Sequence, residues 1–401
     1  MRSVMSDRLT NFLLLMFSFC LFVPKFNAVT SIVSVLTALV VIITFKEEIL
    51  KEFCKIPCMI KCAFLIFCLS LVISSIAVGD KECIKKAFDY AYYVTPLILL
   101  FLLGRVNNNQ KWILWGFVIG VAVTSIYGLY DFIIFDRRRL GGLYSHPNHT
   151  GGMLAIMLPL TIAFLCETLR DKHSDILLKV AAIISCSAGI LALFLTGSRG
   201  AILGVILGFV VSCMLYAVKN FDSKKILAFI LITSLIAGAS LFALYKLNGN
   251  KFSRHYDGER LLLMESSYNM WNDNKLFGIG LVNWKEQYQS KYILPQAKEP
   301  ELGTPHNTVA FYFSTTGLVG GIGFVAFSLL ILKYLYSGLI PFSGGGLVCF
   351  GMLWAFCAMS LHGLVDLGIT KKEIFRLFCG MLGLTVSIIE FLRVEYNKID
   401  I

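Results

Sequence analysis

Charged residues are scarce in this sequence: Asp, Glu, Lys and Arg make up only 15% of its 401 residues. Mean hydropathy is +0.74. This composition excludes an ordinary soluble protein, which needs far more polar surface. Repeated apolar runs of roughly 17–25 residues predict membrane-spanning helices instead. We therefore predict one transmembrane domain over residues 1–401.

The sequence also lacks a set of metal ligands and a pattern of paired cysteines. Most of its twelve cysteines fall in or beside apolar runs. Cys54, Cys58 and Cys62 share one helical face, yet no His or carboxylate completes a metal set. We predict no metal site and no cofactor, and interpret the cysteines as small apolar residues of a membrane bundle.

An excess of basic residues gives a net charge of +11. In a soluble protein this excess would favour nucleic acid as a partner. Here much of it lies in short loops, where it sets topology and meets anionic lipid headgroups. We therefore predict membrane lipids and no nucleic acid as partners.

Twelve apolar segments predict an all-α polytopic membrane protein. The first two, around Pro24–Lys25, form either two spans or one hairpin. Residues 1–10 are polar and basic and no small-residue cleavage site follows, so we expect an uncleaved anchor. The predicted spans are 9–24, 28–44, 59–78, 87–104, 111–135, 150–166, 177–196, 201–217, 225–244, 307–336, 341–362 and 373–392.

Loop charges predict the orientation of the bundle. One set of short loops, together with both termini, carries more Lys and Arg than the opposite set. The positive-inside rule therefore places the termini in the cytoplasm. It places the segments 136–149, 196–200, 245–306 and 363–372 outside, and 245–306 is the only long loop between the predicted spans.

The first outward cluster is the run from Arg137 to Gly152. Its functional interpretation is a rim near a phosphate or sugar, with Arg139, His146 and Asn148 as substrate-binding candidates. The alternative is a basic loop that lies on anionic headgroups. Thr150 is predicted as the N-cap of the next helix.

The second cluster is the tight turn Gly197–Ser198–Arg199 between two apolar helices. An arginine at the membrane boundary is costly, which favours a functional role. A helix N-terminus attracts anions, and a guanidinium binds phosphate through two parallel hydrogen bonds. We predict that Arg199 binds a pyrophosphate; the alternative is an arginine that reaches out to the interface.

The third and fourth clusters follow in the second half of the chain. Glu259–Trp271 is predicted as a short helix on the membrane surface that carries Arg260 near its start. His306 and Asn307 precede the next span, and the fourth cluster runs from His362, at the end of the eleventh span, to Asp366. Each has a structural alternative as an ordinary interfacial or solvated residue. Gly317, Gly320, Gly321 and Gly323 are interpreted as helix-packing positions.

The ordered set of clusters resembles the O-antigen ligase and polymerase superfamily of bacterial envelope enzymes. The resemblance covers roughly residues 130–370. Its most specific parts are Leu195–Ala201, Arg260 followed by Trp271 and Phe277–Gly280, and His306–Asn307 leading into Gly317.

The resemblance implies a GT-C-like helical fold in the bacterial inner membrane, with a periplasmic active site. It implies an O-antigen ligase, a glycosyltransferase of lipopolysaccharide biosynthesis. Such an enzyme moves a glycan from undecaprenyl pyrophosphate to a sugar hydroxyl of the lipid A-core, without metal or nucleotide. Arg199, Arg260 and His306 match the essential residues of the family, and Asp366 matches its acidic residue more loosely.

The residue types fit that chemistry. Arg199 and Arg260 can compensate the charge of a pyrophosphate leaving group in a low-dielectric site. His306 can accept the proton of the acceptor hydroxyl. No paired outward carboxylates of a retaining glycosidase are present, so we predict a single inverting displacement.

Two rival functions stay open from the sequence. An O-antigen polymerase uses the same donor with another glycan as acceptor. A polysaccharide transporter or flippase would have charges deep in mid-helix, lining a path, whereas these charges collect at one face.

Overall fold

The protein is described by a computed structural model that covers residues 4–23, 27–46, 49–105, 109–144, 146–222, 256–339 and 345–399, with a few positions between 231 and 239. Every regular element in these ranges is helical, which confirms the all-α class. The helices are α1 Val4–Phe22, α2 Asn27–Phe45, α3 Ile49–Cys54, α4 Cys58–Val78, α5 Lys81–Tyr93, α6 Thr95–Gly104, α7 Asn109–Ile134, α8 Pro147–Arg170, α9 Ile176–Thr196, α10 Arg199–Asn220, α11 Tyr256–Asp273, α12 Trp284–Gln287, α13 Thr308–Ser337, α14 Gly346–His362 and α15 Lys372–Ile399.

Eight helical stretches within the described ranges are long and apolar enough to cross a membrane, and three shorter apolar helices accompany them. These eleven correspond to eleven of the twelve predicted spans, which confirms a polytopic membrane protein. The predicted span 225–244 lies largely outside the described residues. The predicted span 87–104 is longer and broken, because α5 and α6 adjoin at Val94 just before Pro96. Proline lacks an N–H and disfavours helical geometry in the residue before it.

Small residues allow helices α8, α10 and α14 to pack closely. A Cβ on Gly208 of α10 would lie 2.6 Å from the backbone nitrogen of Ala358 in α14. One on Gly351 of α14 would lie 2.4 Å from the Cβ of Ala163 in α8. Helices in a membrane associate through such van der Waals contact, since the lipid gives no hydrophobic drive. The glycines thus hold α8, α10 and α14 against one another.

Helix α13 is interrupted at Gly317, where φ is +63°. Residues 275–280 of the preceding loop lie in this break and pair with its backbone. The hydrogen bonds are Leu318 N to Lys275 O (2.8 Å), Val319 N to Leu276 O (3.2 Å), Ile279 N to Ser314 O (3.0 Å) and Gly280 N to Thr315 O (2.9 Å). The interpretation of Gly317 as a plain helix-packing position is therefore wrong, because this residue allows the loop to insert.

The loop before α13 has a small core of its own. Trp284 is only 1% exposed, stacks on Tyr288 at 5.0 Å and donates a hydrogen bond to Ser267 Oγ at 3.1 Å. Leu263 and Met270 of α11 complete this cluster. The predicted helix over 259–271 is confirmed with slightly wider bounds. Its core and its attachment to α13 fix the position of Arg260.

Candidate active site

Residues from all four sequence clusters line a single cavity of about 370 Å³. It lies where the starts of α8, α10 and α11 meet the end of α14 and the segment before α13. The lining residues are Arg139, His146, Asn148, Gly197, Ser198, Arg199, Gly200, Glu259, Arg260, Leu263, Glu299, Leu302, His306, His362, Val365 and Asp366. Seven of the eight predicted site residues are among them, and Asn307 is not.

Arg199 is the first residue of α10 and faces the cavity beside a tight turn. Gly197 ends α9 in the left-handed conformation (φ +57°), and its N–H donates to the carbonyl of Phe194 at 3.0 Å. The N–H of Ser198 donates to Thr196 Oγ1 at 3.1 Å. The first turn of α10 thereby presents its N-terminus, with its partial positive charge, at the cavity wall. A guanidinium next to a helix N-terminus is well suited to bind an anion.

Arg139 differs from Arg137 and Arg138 in the contacts that it makes. Its Nε donates to the carbonyl oxygen of Thr196 at 2.7 Å, and a terminal nitrogen donates to Asn148 Oδ1 at 2.6 Å. These bonds join the loop after α7 to the end of α9 and the start of α8. Arg137 and Arg138 are exposed and do not line the cavity.

His146 precedes α8 and lines the cavity from the same side. Burial, followed by the positive charge of Lys371, holds the pKa of His146 below its usual value. The helix begins at Pro147, so the prediction of Thr150 as its N-cap is wrong. Proline is favoured in the first turn because it has no N–H to leave unsatisfied there. The hydroxyl of Thr150 donates instead to the carbonyl of Gly141.

Arg260 enters the cavity from the first turn of the loop helix α11. The carboxylate of its neighbour Glu259 is buried and accepts the backbone N–H of Lys298, with both oxygens at 3.1 Å. This contact ties the later part of the loop to the start of α11. Glu259 and Glu299 line the cavity together with Asp366, so the expectation that carboxylates do not gather at this site is wrong, and the cavity mixes acidic and basic groups.

His306 and Asp366 form a hydrogen-bonded pair in the cavity wall. The Nδ1 of His306 lies 3.3 Å from Oδ1 of Asp366, which also accepts the N–H of Leu367 at 2.7 Å. His306 has a φ of +49°, a backbone conformation that residues other than glycine rarely adopt. Such strain is concentrated at functional sites, where the surroundings hold it in place.

The charge of Asp366 is stabilised by its neighbours. Burial alone would raise the pKa of Asp366, but four interactions together outweigh it: the hydrogen bond with His306, the charges that His362 and His306 carry when protonated, and the Leu367 N–H. The pKa of this carboxyl lies well below its usual range. Asp366 is therefore ionised at neutral pH and acts only as a hydrogen-bond acceptor.

Asn307 is placed differently from the other predicted site residues. Its Oδ1 accepts the N–H of Ala310 at 2.9 Å, and its Nδ2 donates to the carbonyl of Leu364 at 3.0 Å. The N–H of Thr308 donates to the carbonyl of Gly363 at 2.7 Å. Asn307 thus caps α13 and fastens it to the segment after α14, a positioning role that the sequence did not predict.

Three ionisable residues that line the cavity are not among the predicted site residues: Glu259, Glu299 and His362. His362 belongs to the fourth sequence cluster, so the sequence indicated its position but not its role in the site. Glu259 and Glu299 come together only through the fold of the loop. Among the residues that the structure describes, no group of three or more His, Cys, Asp or Glu that could hold a metal ion is present.

Comparison with known families adds an independent observation. Residues 182–325 match the model of the family described as O-antigen ligase. The match supports assigning the chain to the O-antigen ligase family. It covers Arg199, Arg260 and His306, and it confirms the resemblance found in the sequence. It supports an enzyme of the O-antigen ligase or polymerase type that acts on lipid-linked glycans in a membrane. No curated protein matches the chain.

Proposed function

We propose that the protein is an O-antigen ligase of the bacterial inner membrane, with its cavity open to the periplasm. It transfers a glycan from undecaprenyl pyrophosphate to a sugar hydroxyl of the lipid A-core, without a metal. The observation that carries this proposal is that Arg199, Arg260, His306 and Asp366 line one cavity, within or near the segment that matches the O-antigen ligase family.

In the proposed mechanism the diphosphate of the donor binds at the start of α10. Arg199 and Arg260 donate hydrogen bonds to its oxygens, and the helix N-terminus adds favourable partial charge. These groups neutralise the charge that develops on the pyrophosphate as the glycosidic bond breaks. Arg139 is held by Thr196 and Asn148, so it supports the shape of this seat.

His306 is the proposed general base. An ionised carboxylate only accepts hydrogen bonds, so the Nδ1 that faces Asp366 carries the hydrogen and Nε2 of the neutral ring has a free lone pair. Nε2 takes the proton of the acceptor hydroxyl while its oxygen attacks the anomeric carbon and the polyprenyl pyrophosphate leaves. One displacement inverts that carbon. Such a base contributes roughly 10²–10⁴-fold to the rate.

The test is transfer by the purified protein in vitro. A polyprenyl-pyrophosphate glycan and a lipid A-core acceptor are supplied, and the product is followed by mass spectrometry and by the anomeric configuration of the new linkage. We expect transfer with inversion, lowered roughly 10²–10⁴-fold by His306→Ala. His173→Ala, an exposed histidine outside the cavity, is the matched control and retains full activity. Equal activity of the two variants would refute the assignment of the base.

A second candidate is the polymerase, because the family match supports ligase and polymerase types alike. Deletion separates the two. Loss of a ligase leaves lipid-linked polymer and bare core, whereas loss of a polymerase leaves core with single repeats attached. The first pattern is expected here.

A further inference from the structure

We propose that His362 binds the donor diphosphate as a third ligand beside Arg199 and Arg260. This inference rests on the proposed function and extends it to a residue outside the segment that matches the family. It starts from the position of the ring, which is deeply buried in the protein and yet forms part of the cavity wall.

His362 is the last residue of α14 and is only 3% exposed. Its backbone carbonyl accepts the N–H groups of Val365 and Asp366, both at 3.0 Å. These bonds place the backbone of His362 in the turn that also carries Asp366. The ring nevertheless lines the cavity together with Arg199 and Arg260. A polar ring in such a position costs desolvation energy unless its nitrogens find partners.

Glycines make the space that the ring occupies. A Cβ on Gly152 of α8 would lie 2.9 Å from Cε1 of His362. One on Gly200 of α10 would lie 3.3 Å from its Cδ2, and one on Gly204 would lie 3.3 Å from its Cβ. The imidazole therefore fits between the first two turns of α8 and α10. A residue larger than glycine at any of these three positions would displace it.

This location is also where an anion would bind. Gly200 is the second residue of α10, directly after Arg199, so the Nε2 edge of His362 lies against the helix start that forms the proposed diphosphate seat. An imidazole N–H there can donate to a phosphate oxygen, since even the neutral ring carries a hydrogen on one of its two nitrogens. A purely space-filling role would need only shape, and an apolar side chain would serve equally well.

The prediction is a loss of diphosphate affinity that a change of shape alone does not produce. A hydrogen bond to a charged group is worth enough that its removal weakens binding about ten- to a hundredfold. His362→Ala should therefore raise the KM for the donor and the Kd for inorganic pyrophosphate by about that factor. His362→Gln keeps a nitrogen donor near the Nε2 position and should retain most of the affinity.

Gly152→Ala tests the same contact from the other side. Alanine suits a helix interior at least as well as glycine, so its main effect is to displace the ring. It should weaken pyrophosphate binding in the wild-type background and have little further effect in the His362→Ala background. Such non-additivity marks two residues that act through one contact.

The experiment is calorimetric titration of inorganic pyrophosphate into the full-length protein in detergent, with donor kinetics in parallel. Wild-type affinity in His362→Ala would overturn the inference. If that variant does not fold, affinity equal to wild type in Gly152→Ala, or a loss in His362→Gln as large as that in Gly152→Ala, would do so.

Arg199→Ala is measured alongside: if the wild type neither binds pyrophosphate nor transfers glycan, the proposed function itself fails. If wild type and Arg199→Ala behave as proposed while the His362 variants are unaffected, only this inference fails.

Discussion

Asp366 links three parts of the site through one carboxylate. It forms a hydrogen bond with His306, accepts the backbone N–H of Leu367, and lies near His362. Its charge therefore holds the proposed base in one tautomer and orientation. The orientation of His306 should therefore be sensitive to an isosteric change of Asp366 that removes only the charge.

The first residue-scale prediction concerns Asp366→Asn and pH. The pKa of Asp366 is depressed in the folded protein, so its contribution to stability is present above the unfolded value of about 3.9 and is lost as the pH falls through the folded value. Asn removes that contribution, at a cost of about 1–3 kcal/mol at neutral pH. Thermal unfolding in detergent should show a wild-type advantage that is constant from about pH 5 to 8 and shrinks below about pH 4.

An advantage of wild type that grows as the pH falls below 4 would contradict this sign. Transfer activity of Asp366→Asn should also fall, because the amide can present an N–H to His306 and favour the wrong tautomer.

The second residue-scale prediction concerns the geometry of phosphate binding by Arg199. Arg199→Lys keeps the charge but loses the planar pair of donors. Transfer should fall about ten- to a hundredfold, since at least one charged hydrogen bond is lost. Activity is measured on protein that inserts normally. Arg138→Lys, at an exposed position outside the cavity, is the control; similar activity in the two variants would argue against bidentate binding.

At the scale of elements, the interrupted helix α13 explains how a loop becomes a fixed part of the site. Residues 275–280 are bonded to the break at Gly317, and Ser74 of α4 donates a further hydrogen bond to the carbonyl of Phe277 at 2.7 Å. Arg260 lies at the other end of the same loop fold. The position of this guanidinium thus depends on an attachment far from it along α11.

Gly317→Ala should break that attachment. A Cβ there would lie 2.3 Å from the backbone carbon of Leu276, and alanine is strained at a φ of +63°. We expect a loss of about 1–3 kcal/mol from the strain, faster proteolysis within 256–305, and reduced transfer. Gly258→Ala is the control, because nothing lies within 4 Å of its Cβ. Equal proteolysis of the two variants would contradict the attachment.

Asn307 gives the second prediction at this scale. Asn307→Ala removes the cap of α13 and should cost about 1 kcal/mol, whereas Asn307→Asp keeps an accepting oxygen and should retain most of the stability. If the residue acts only as a cap, Asn307→Asp also leaves the donor KM unchanged. A large rise of KM in a stable Asn307→Asp protein would restore the substrate-binding role predicted from the sequence.

At the scale of the whole molecule, the proposed orientation can be mapped. The excess of Lys and Arg on one side predicts cytoplasmic termini, so the loop around residue 300 faces the periplasm. A phosphatase reporter, active only outside, should be active when fused after residue 300 and inactive after residue 222. The reverse pattern would place the cavity inside the cell and end the proposed function.

Most of the bundle and much of the cavity follow from sequence patterns. Long apolar runs predict spans because the bilayer demands internally satisfied backbone. Each of the four clusters follows an odd number of predicted spans, so they are predicted to share one face. The inserted segment 275–280 was not predicted, because backbone pairing leaves no side-chain signature. Glu299 and the capping role of Asn307 depend on tertiary contacts that no local pattern encodes. His362 was found in its cluster, but its glycine surroundings come from two other helices.

The break in α13 also sets an order for biogenesis. Its unpaired peptide groups would be intolerable in hydrocarbon, where no water can satisfy them. The segment that satisfies them, 275–280, leaves the ribosome before α13 is synthesised. The inserted segment is therefore already synthesised when the broken span enters the membrane. In a circular permutant that synthesises the loop after α13, the peptide groups at the break would be exposed to lipid without hydrogen-bond partners.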